Sequence, residues 1–369
     1  MNKNYDVIII CFSNPTLDAR AINMTKTLLK YERSVALVTP IFDSIPGYIE
    51  KDDYFACKIN LDQPTHKSQS EFTKAVKKLN FDAKFVLASD FYSLPAGKSI
   101  KLKRNASLIY DSREIYSQLN SLKDRHIAKK ILEIREKYLV SFVDKMIVTA
   151  EEDEIYLKKH FRHSKNYTVI KNLPPETNLE KNDSLRIKFN INKSKLVLLY
   201  QGWVLEGRGL DILIDTVKNL DNSELVIIGD GNYLSQLKST TSEKNINNVH
   251  FTGFIPYNEL ASYTVSADIG FVLFESNSIS YQNALPNKLF ELIQAEIPVI
   301  TSNQKTISKV VDNHEIGITL KQIDKESIID ALGEMSNIEA RKLYVSNIQK
   351  IKKQYSYETQ EVKILKVFS

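Results

Sequence analysis

The sequence predicts an α/β protein built from two doubly wound parallel-sheet domains, each Rossmann-like. Short, continuously apolar runs alternate with helix-period segments along the whole chain. The alternation stops at Pro174-Pro175 and a charged stretch, then restarts at residue 195. Polar or glycine-bearing loops follow the apolar runs, the place where open α/β sheets bind ligands. A length of 369 residues also suits two domains. The expected division is an N-terminal domain over 1–175, a linker over 176–194 and a second Rossmann-like domain over 195–337. Helices follow over 338–369, the last of them bracing the N-terminal domain.

In the first half, 7–12 is a continuous apolar strand, 13–16 a loop and 18–31 a helix, and 35–38 is the second strand. Together they open a doubly wound sheet. The loop Ser13-Asn14-Pro15 has no glycine, which argues against a dinucleotide fingerprint there. Two further strands, 85–88 and 107–110, end in Ser89-Asp90 and in Asp111-Ser112-Arg113-Glu114. Two readings of Asp111 and Ser112 stand side by side, as ligand groups or as caps of a following helix. A long helix over 121–143 carries a basic face and an apolar stripe of Ile127, Ile131, Ile134 and Tyr138. It is read either as a solvated basic face or as a peripheral contact with an anionic membrane.

In the second half, the strand 195–200 runs into Gln201-Gly202-Trp203-Val-Leu-Glu-Gly207-Arg208-Gly209 and then a helix. A strand, a glycine loop with one arginine and a helix start make an anion cradle. Arg208 can grip phosphate oxygens with its planar fork. The strand 224–228 leads to Gly229-Asp230-Gly231, and 249–252 leads to Gly253-Phe254-Ile255-Pro256. The strand 269–274 precedes the loop Asn283-Ala284-Leu285-Pro286-Asn287, which opens a helix at Lys288. Leu289, Leu292 and Ile293 face a core, which leaves Lys288 and Glu291 near the free N–H groups of the helix start. That start suits a nucleotide diphosphate, with the Glu291 carboxylate better matched to a ribose hydroxyl pair.

Composition narrows the field. Hydrophobic residues make up 43% and charged residues 26%, enough for ordinary cores. Two cysteines, Cys11 and Cys57, make neither a disulfide framework nor a metal cluster, and a reducing cytoplasm is the expected home. No run approaches the roughly 18 apolar residues of a membrane span. The N-terminus reads as a first strand and not as a signal peptide. The net charge of +5 fits an anionic ligand or membrane surface, and no nucleic-acid partner is expected.

Three segments resemble the GT-B glycosyltransferases, and within them the retaining glycosyltransferase family 4. Tyr200-Gln-Gly-Trp-Val-Leu-Glu-Gly-Arg-Gly-Leu210 is similar to the family's glycine loop. Val249-His-Phe-Thr-Gly-Phe-Ile-Pro-Tyr-Asn-Glu-Leu260, with Ala267-Asp-Ile-Gly270, is the second segment. Leu285-Pro-Asn-Lys-Leu-Phe-Glu-Leu-Ile-Gln-Ala-Glu-Ile-Pro-Val299 resembles the donor-binding loop and helix. Tyr110-Asp-Ser-Arg-Glu-Ile115 is similar to the family's Asp-x-His-Glu segment. The resemblance implies a nucleotide-sugar donor, with Arg208 and Lys288 neutralising the leaving diphosphate and Glu291 on the ribose. It also implies that the backbone at Phe254 and Ile255 meets the base, and that the loop from Ala284 to Asn287 faces the sugar and phosphates. The acceptor would lie near Ser13, Asn14, Ser89, Asp90, Arg113 and Glu114. No metal and no other cofactor are expected, because Arg and Lys take a metal's role.

The chain departs from that family at three positions. Asn283 stands where the first of two acidic residues is usual, Trp203 replaces a second basic residue, and Arg113 replaces a histidine. These departures occur together in a subgroup with a Pro-Asn-Lys loop associated with bacterial surface-polysaccharide assembly. The reading is therefore a retaining glycosyltransferase, with a uridine-based donor and a glycan or lipid-linked acceptor, in the cytoplasm or at the inner face of the membrane. One rival is a nucleotide-sugar epimerase on the same fold, although the six histidines do not cluster at these loops. The other is a non-catalytic GT-B-like scaffolding subunit.

Overall fold

The computed structural model describes residues 3–13, 18–41, 54–58, 65–79, 81–119, 122, 124–161, 166–275, 282–283 and 285–369. It falls into two compact units, Met1–Lys171 with Gln360–Ser369, and Asn172–Thr359.

The first unit is a seven-stranded parallel sheet. Its strands are β1 (Lys3–Ile10), β2 (Val35–Ile41), β3 (Tyr54–Lys58), β4 (Phe81–Ala88), β5 (Ser107–Ser112), β6 (Lys145–Val148) and β7 (Asn166–Val169). They lie in the order β3-β2-β1-β4-β5-β6-β7. A parallel sheet covered on both faces needs strands that are apolar on both sides. Val7, Ile8, Ile9 and Ile10 of β1 are accordingly all fully buried. The helices are α1 (Ala19–Lys30), α2 (Thr65–Lys78), α3 (Leu94–Arg104), α4 (His126–Val140) and α5 (Glu151–Phe161). Asp18 caps α1 by accepting from the N–H of Ala21 at 2.9 Å.

Sequence periodicity missed β3 and α2. In α2 only Phe72 and Val76 are buried hydrophobics, beside buried Ser68 and Gln69, so the apolar stripe is too sparse to read. The helix expected over 121–143 is shorter, running His126–Val140, and residues 121 and 123 lie outside the described set. Its stripe of Ile127, Ile131, Ile134 and Tyr138 faces solvent.

The second unit is a six-stranded parallel sheet of β8 (Leu196–Gln201), β9 (Ser223–Ile228), β10 (Val249–Gly253), β11 (Ile269–Val272), β12 (Val299–Ser302) and β13 (Gly317–Leu320). The order β10-β9-β8-β11-β12-β13 repeats the winding of the first unit. Its helices are α6 (Ser184–Phe189), α7 (Leu210–Val217), α8 (Leu234–Glu243), α9 (Tyr257–Thr264), α10 (Asn287–Gln294), α11 (Lys305–His314), α12 (Lys325–Ser336) and α13 (Ile338–Ile351). In both sheets the winding reverses direction beside the first strand, at β1/β4 and at β8/β11. A ligand crevice belongs at such a point.

Two sequence-based boundaries move. The stretch 176–194, expected as a linker, is packed into the second unit. Leu185 is fully buried, its N–H donates to Ser266 Oγ at 2.9 Å, and Asn182 Nδ2 donates to the Ser262 carbonyl at 2.9 Å. Two apolar anchors in a polar stretch leave no periodic signal. The tail 338–369 divides, because α13 buries Ile348 and Ile351 in the second unit. The closing helix α14 (Glu361–Val367) belongs to the first unit. There Phe368 meets Phe85 edge to face at 5.9 Å, Lys145 Nζ donates to the Val367 carbonyl at 2.7 Å, and Lys30 pairs with Glu361 at 2.7 Å.

Phe368 is the apolar plug of that attachment. Phe368→Ala is expected to destabilise the protein by about 3–5 kcal/mol, seen as a lower urea midpoint for the first unit. An unchanged midpoint would show that the closing helix does not hold the unit together.

Candidate functional site

The loops after β8 and β9 are zipped together by backbone. Gly202 N–H donates to the Ile228 carbonyl at 2.9 Å, Val204 N–H to the Asp230 carbonyl at 2.9 Å, and Tyr233 N–H to the Val204 carbonyl at 3.3 Å. The approach excludes side chains. A Cβ at Gly229 would lie 1.9 Å from the Gly202 oxygen, and one at Gly231 would lie 2.2 Å from the Val204 oxygen. Glycine is therefore obligatory at both. Asp230 is exposed and turns its carboxylate back onto the Gly231 N–H at 2.8 Å.

This zipper carries Gly202 directly over Lys288. A Cβ there would meet Lys288 Cε at 3.4 Å and Nζ at 3.6 Å. The lysine is buried at the start of α10, with its ammonium 3.9 Å from the centre of the Tyr200 ring and 5.8 Å from that of Phe274. The Nζ atom is buried and makes no hydrogen bond. Arg208 comes to the same aromatic, its guanidinium 4.3 Å from the Phe274 ring centre. Burial, then the nearby Arg208 charge, hold the Lys288 amine well below the usual lysine range, against the pull of Glu291. Pro286, the N-cap of α10, supplies no side-chain cap. A buried ammonium without a hydrogen-bond partner, a guanidinium beside it and an uncapped helix start are the elements of an anion site.

Glu291 lies one turn further along α10. It is held by Gln201, whose Nε2 donates to Glu291 Oε2 at 2.6 Å. Gln201 is itself fixed by Thr264, whose Oγ1 donates to Gln201 Oε1 at 2.9 Å. Burial raises the Glu291 carboxyl, opposed by the Gln201 hydrogen bond and by Lys288. Sequence periodicity cannot single out Gln201, a polar end to the apolar strand β8, or Thr264, the single buried residue of the otherwise more exposed helix α9. Glu275 was also missed. Its carboxylate accepts from the Gly209 N–H at 2.8 Å, and its own N–H donates to the Gly207 carbonyl at 3.0 Å. Gly209 has a φ of +69° and opens α7, so an acidic side chain occupies that helix start.

The other predicted donor residues sit around this centre in varied ways. Trp203 and Phe254 are exposed, and Ile255 packs on the core of the second unit. Gly253, just before Phe254, accepts from the Gly229 N–H at 3.0 Å. Leu285 also packs on that core. Asn283 is half-buried, and Asn287 Oδ1 accepts from Asn172 Nδ2 at 2.7 Å. Ala284 lies outside the described residues.

The first unit gathers a charged network at the ends of β1, β4 and β5. Arg20 binds Asp111 through two bonds of 2.7 and 2.8 Å and the Ile170 carbonyl at 2.9 Å, with Asp111 fully buried. Asp111 is thus a core ion-pair member, neither a ligand group nor a cap. Arg113 Nη1 reaches Asp18 at 2.6 Å and its Nε reaches Asp111 at 3.4 Å, while its Nη2 is buried without a hydrogen bond. Arg113 also holds Asp18 well below the usual carboxylate range against the effect of burial. Ser13 Oγ and Cys11 Sγ both turn to Asp18, at 2.7 and 2.9 Å. Asp90 is buried and accepts from the N–H groups of Phe12 and Ser93 at 3.1 and 2.6 Å. Ser89 is fully buried with its hydroxyl unpartnered, and Glu114 is exposed. Asn14 lies outside the described residues. Among the described residues no group of three His, Cys, Asp or Glu is placed to hold a metal.

The whole chain shares its fold with solved glycosyltransferase structures. A sucrose-phosphate synthase from Thermosynechococcus elongatus superposes with a TM-score of 0.80 at 15% identity, over 100% of this chain and 98% of that one. The Anabaena protein HepE in complex with UDP and glucose superposes at 0.77 and 13% identity, over 98% and 99%. The fold is therefore GT-B. Residues 181–354 match the family described as Glycosyl transferases group 1. An uncharacterized glycosyltransferase of Methanocaldococcus jannaschii is 26% identical over 274 residues, 67% of this chain and 64% of that relative. The aligned stretch thus spans less than two thirds of the relative's length.

Because the folded site disfavours the charged amine, Lys288 costs stability wherever the unfolded chain would hold the proton. That cost is present at neutral pH, is no smaller below it, and fades as pH rises toward the ordinary lysine range. Lys288→Met is expected to raise the Tm of the ligand-free protein by roughly 2–6 °C near pH 7. The gap should narrow as pH rises. A variant that melts lower at neutral pH, or a gap that widens with pH, would contradict the frustrated-ammonium reading.

Proposed function

We propose that the chain is a retaining glycosyltransferase. It moves a sugar from a uridine diphosphate donor to a glycan or lipid-linked acceptor during surface-polysaccharide assembly, at the inner face of the membrane. The observation that carries the reading is the buried Lys288 ammonium, without a hydrogen-bond partner, beside Arg208 and an uncapped helix start. The HepE neighbour, solved with UDP and glucose, supports the choice of donor. No helix among the described residues is long and apolar enough to cross a membrane.

In this reading the diphosphate lies against Lys288, Arg208 and the first N–H groups of α10. The bond between the anomeric carbon and the phosphate oxygen breaks, and the acceptor oxygen bonds that carbon on the same face. The acceptor's proton passes to the departing phosphate. Charge grows on the diphosphate as the bond breaks, and the fixed cations stabilise it most at that moment. Arg208 and Lys288 take the place of a metal. Glu291, steadied by Gln201 and Thr264, receives the ribose hydroxyls, and the exposed Phe254 ring and Ile255 meet the base. Arg113, pinned by Asp18 and Asp111, is the first unit's candidate for the acceptor.

The test is melting temperature against a panel of nucleoside diphosphates and nucleotide sugars, followed by turnover of the ligand that binds. A ligand specific to the folded state raises Tm by mass action. UDP and one UDP-sugar are expected to shift it, with the shift lost in Lys288→Ala and in Arg208→Ala and turnover down by at least ~100-fold. Near-normal turnover in both variants would refute the diphosphate assignment. Binding without turnover on any acceptor would favour a scaffolding subunit. In the same assay Gln201→Leu frees Glu291, so donor KM should rise about tenfold, the worth of one charge-assisted hydrogen bond. An unchanged KM would remove Glu291 from the ribose.

A further inference from the structure

A cavity of about 590 Å³ opens between α4 and α5 of the first unit, a volume in the range of small-molecule sites. Its walls are of three kinds. Ile134 supplies an apolar patch, and Tyr156 and His160 supply two aromatic rings. Lys130, Lys137 and Lys159 supply cations against the one lining carboxylate, Glu133. None of these side chains takes part in the network of Arg20, Asp111, Arg113 and Asp18.

The aromatic wall is held in place. The two rings lie one turn apart on α5 and stack at 5.7 Å, with 12° between their planes. Lys129 of α4 donates to Gln118 Oε1 at 2.8 Å, and Gln118 Nε2 donates to the Tyr156 hydroxyl at 2.8 Å. His160 Nε2 is buried and has no hydrogen-bond partner among the described residues. Burial holds this imidazole below the usual histidine range, with Glu133 opposing the effect and Lys137 and Lys130 adding to it. A neutral ring has one donor and one acceptor nitrogen, which suits a ligand with hydroxyl groups.

The cations are spread along the cavity. Lys130 pairs with Glu133 at 3.2 Å, while Lys137 and Lys159 have no carboxylate partner among the described residues. Lys130 and Lys137 both lie on α4, and their positions are about 10.5 Å apart along its axis at 1.5 Å per residue. One compact phosphate group suits a point cluster of charge better than such a row. A saccharide with carboxylates on successive residues matches the row. Its ring C–H faces fit the aromatic wall, and its hydroxyls fit His160.

We propose that the α4–α5 cavity is a carbohydrate-binding site that holds a short run of an acidic saccharide, with a sugar ring against Tyr156 and His160 and carboxylates on the lysine row. The first unit thereby retains an acidic glycan by contacts other than those of the donor site. The choice of a glycan rests on the glycosyltransferase reading under Proposed function and narrows the acceptor to one that bears carboxylates.

The experiment is calorimetric titration of the full chain, without donor and at low salt, with tetragalacturonic acid and with the neutral maltotetraose. The acidic saccharide is expected to bind at least about tenfold more tightly than the neutral one. Lys137→Ala/Lys159→Ala should weaken it by roughly tenfold or more, through lost charge-assisted bonds. Both lysines are exposed, so that variant should keep the wild-type Tm and the UDP-induced shift. The acidic saccharide should also move an imidazole nitrogen NMR signal that is missing in His160→Gln. No binding of tetragalacturonic acid, while UDP still raises Tm, would overturn the carbohydrate site and leave the glycosyltransferase reading standing. Binding of the saccharide without any nucleotide-induced shift would support the site and count against the donor assignment. Equal affinity for maltotetraose, or wild-type affinity in the lysine variant, would overturn the proposal. Inorganic phosphate that displaces the saccharide more strongly than sodium chloride of equal ionic strength, together with equal binding of phosphate alone, would show a simple anion site and overturn it. Binding of UMP that the lysine variant abolishes would reassign the cavity to a nucleotide and overturn it as well.

Discussion

The candidate site depends on one unfavourable arrangement, the Lys288 ammonium buried between aromatic rings with no hydrogen-bond acceptor. A buried charge is costly unless it is paired. What surrounds it keeps it in place without pairing it. Tyr200 comes from the end of β8, Phe274 follows β11, and these strands are neighbours at the reversal of the winding. Gly202 lies against the lysine stem at a φ of +119°, and the Gly229 and Gly231 contacts hold the Gly202 backbone in register. The fold thus builds an enclosure of aromatic rings and backbone around this ammonium.

The two units share a winding order and treat its reversal point in opposite ways. At the end of β1 and β5, Arg20, Arg113, Asp18 and Asp111 largely neutralise one another through short, buried bonds. Asp90 is saturated by backbone N–H groups. That network joins segments 91 and 95 residues apart and fixes the loops of the first unit. The second unit leaves the Lys288 ammonium beside rings at an open helix start instead. A satisfied network gives a firm wall, and a frustrated one gives a place where binding releases energy.

Much of this was readable from the sequence, and the limits are physical. Continuous apolar runs such as 7–10 announce buried parallel strands, and glycines after strands announce close backbone approach. Lys288 and Glu291 could be singled out because each interrupts an apolar periodicity at a helix start. Gln201 and Thr264 could not, since they act through each other across 63 residues. The Arg20–Asp111 pair was equally hidden, because Arg20 sits in α1 with nothing nearby to mark it as a core residue. Glu275 shows a further limit, because a glycine loop that suits phosphate can be occupied by the chain's own carboxylate.

The polarity of the site also explains how one small region can both hold and release a charged donor. In the empty protein burial pulls Lys288 toward its neutral form and Glu291 toward its protonated form. In the proposed reading an arriving diphosphate would bring negative charge beside Lys288, which favours the protonated amine where charge would grow. Hydroxyls arriving at Glu291 offer donors to a carboxylate already oriented by Gln201, which favours its ionised form. The ligand thus completes an arrangement of charges that the folded chain holds in place but cannot balance alone. A protein selected for stability alone would replace Lys288 with an apolar side chain, so its retention in a buried, unpartnered position is an argument for use.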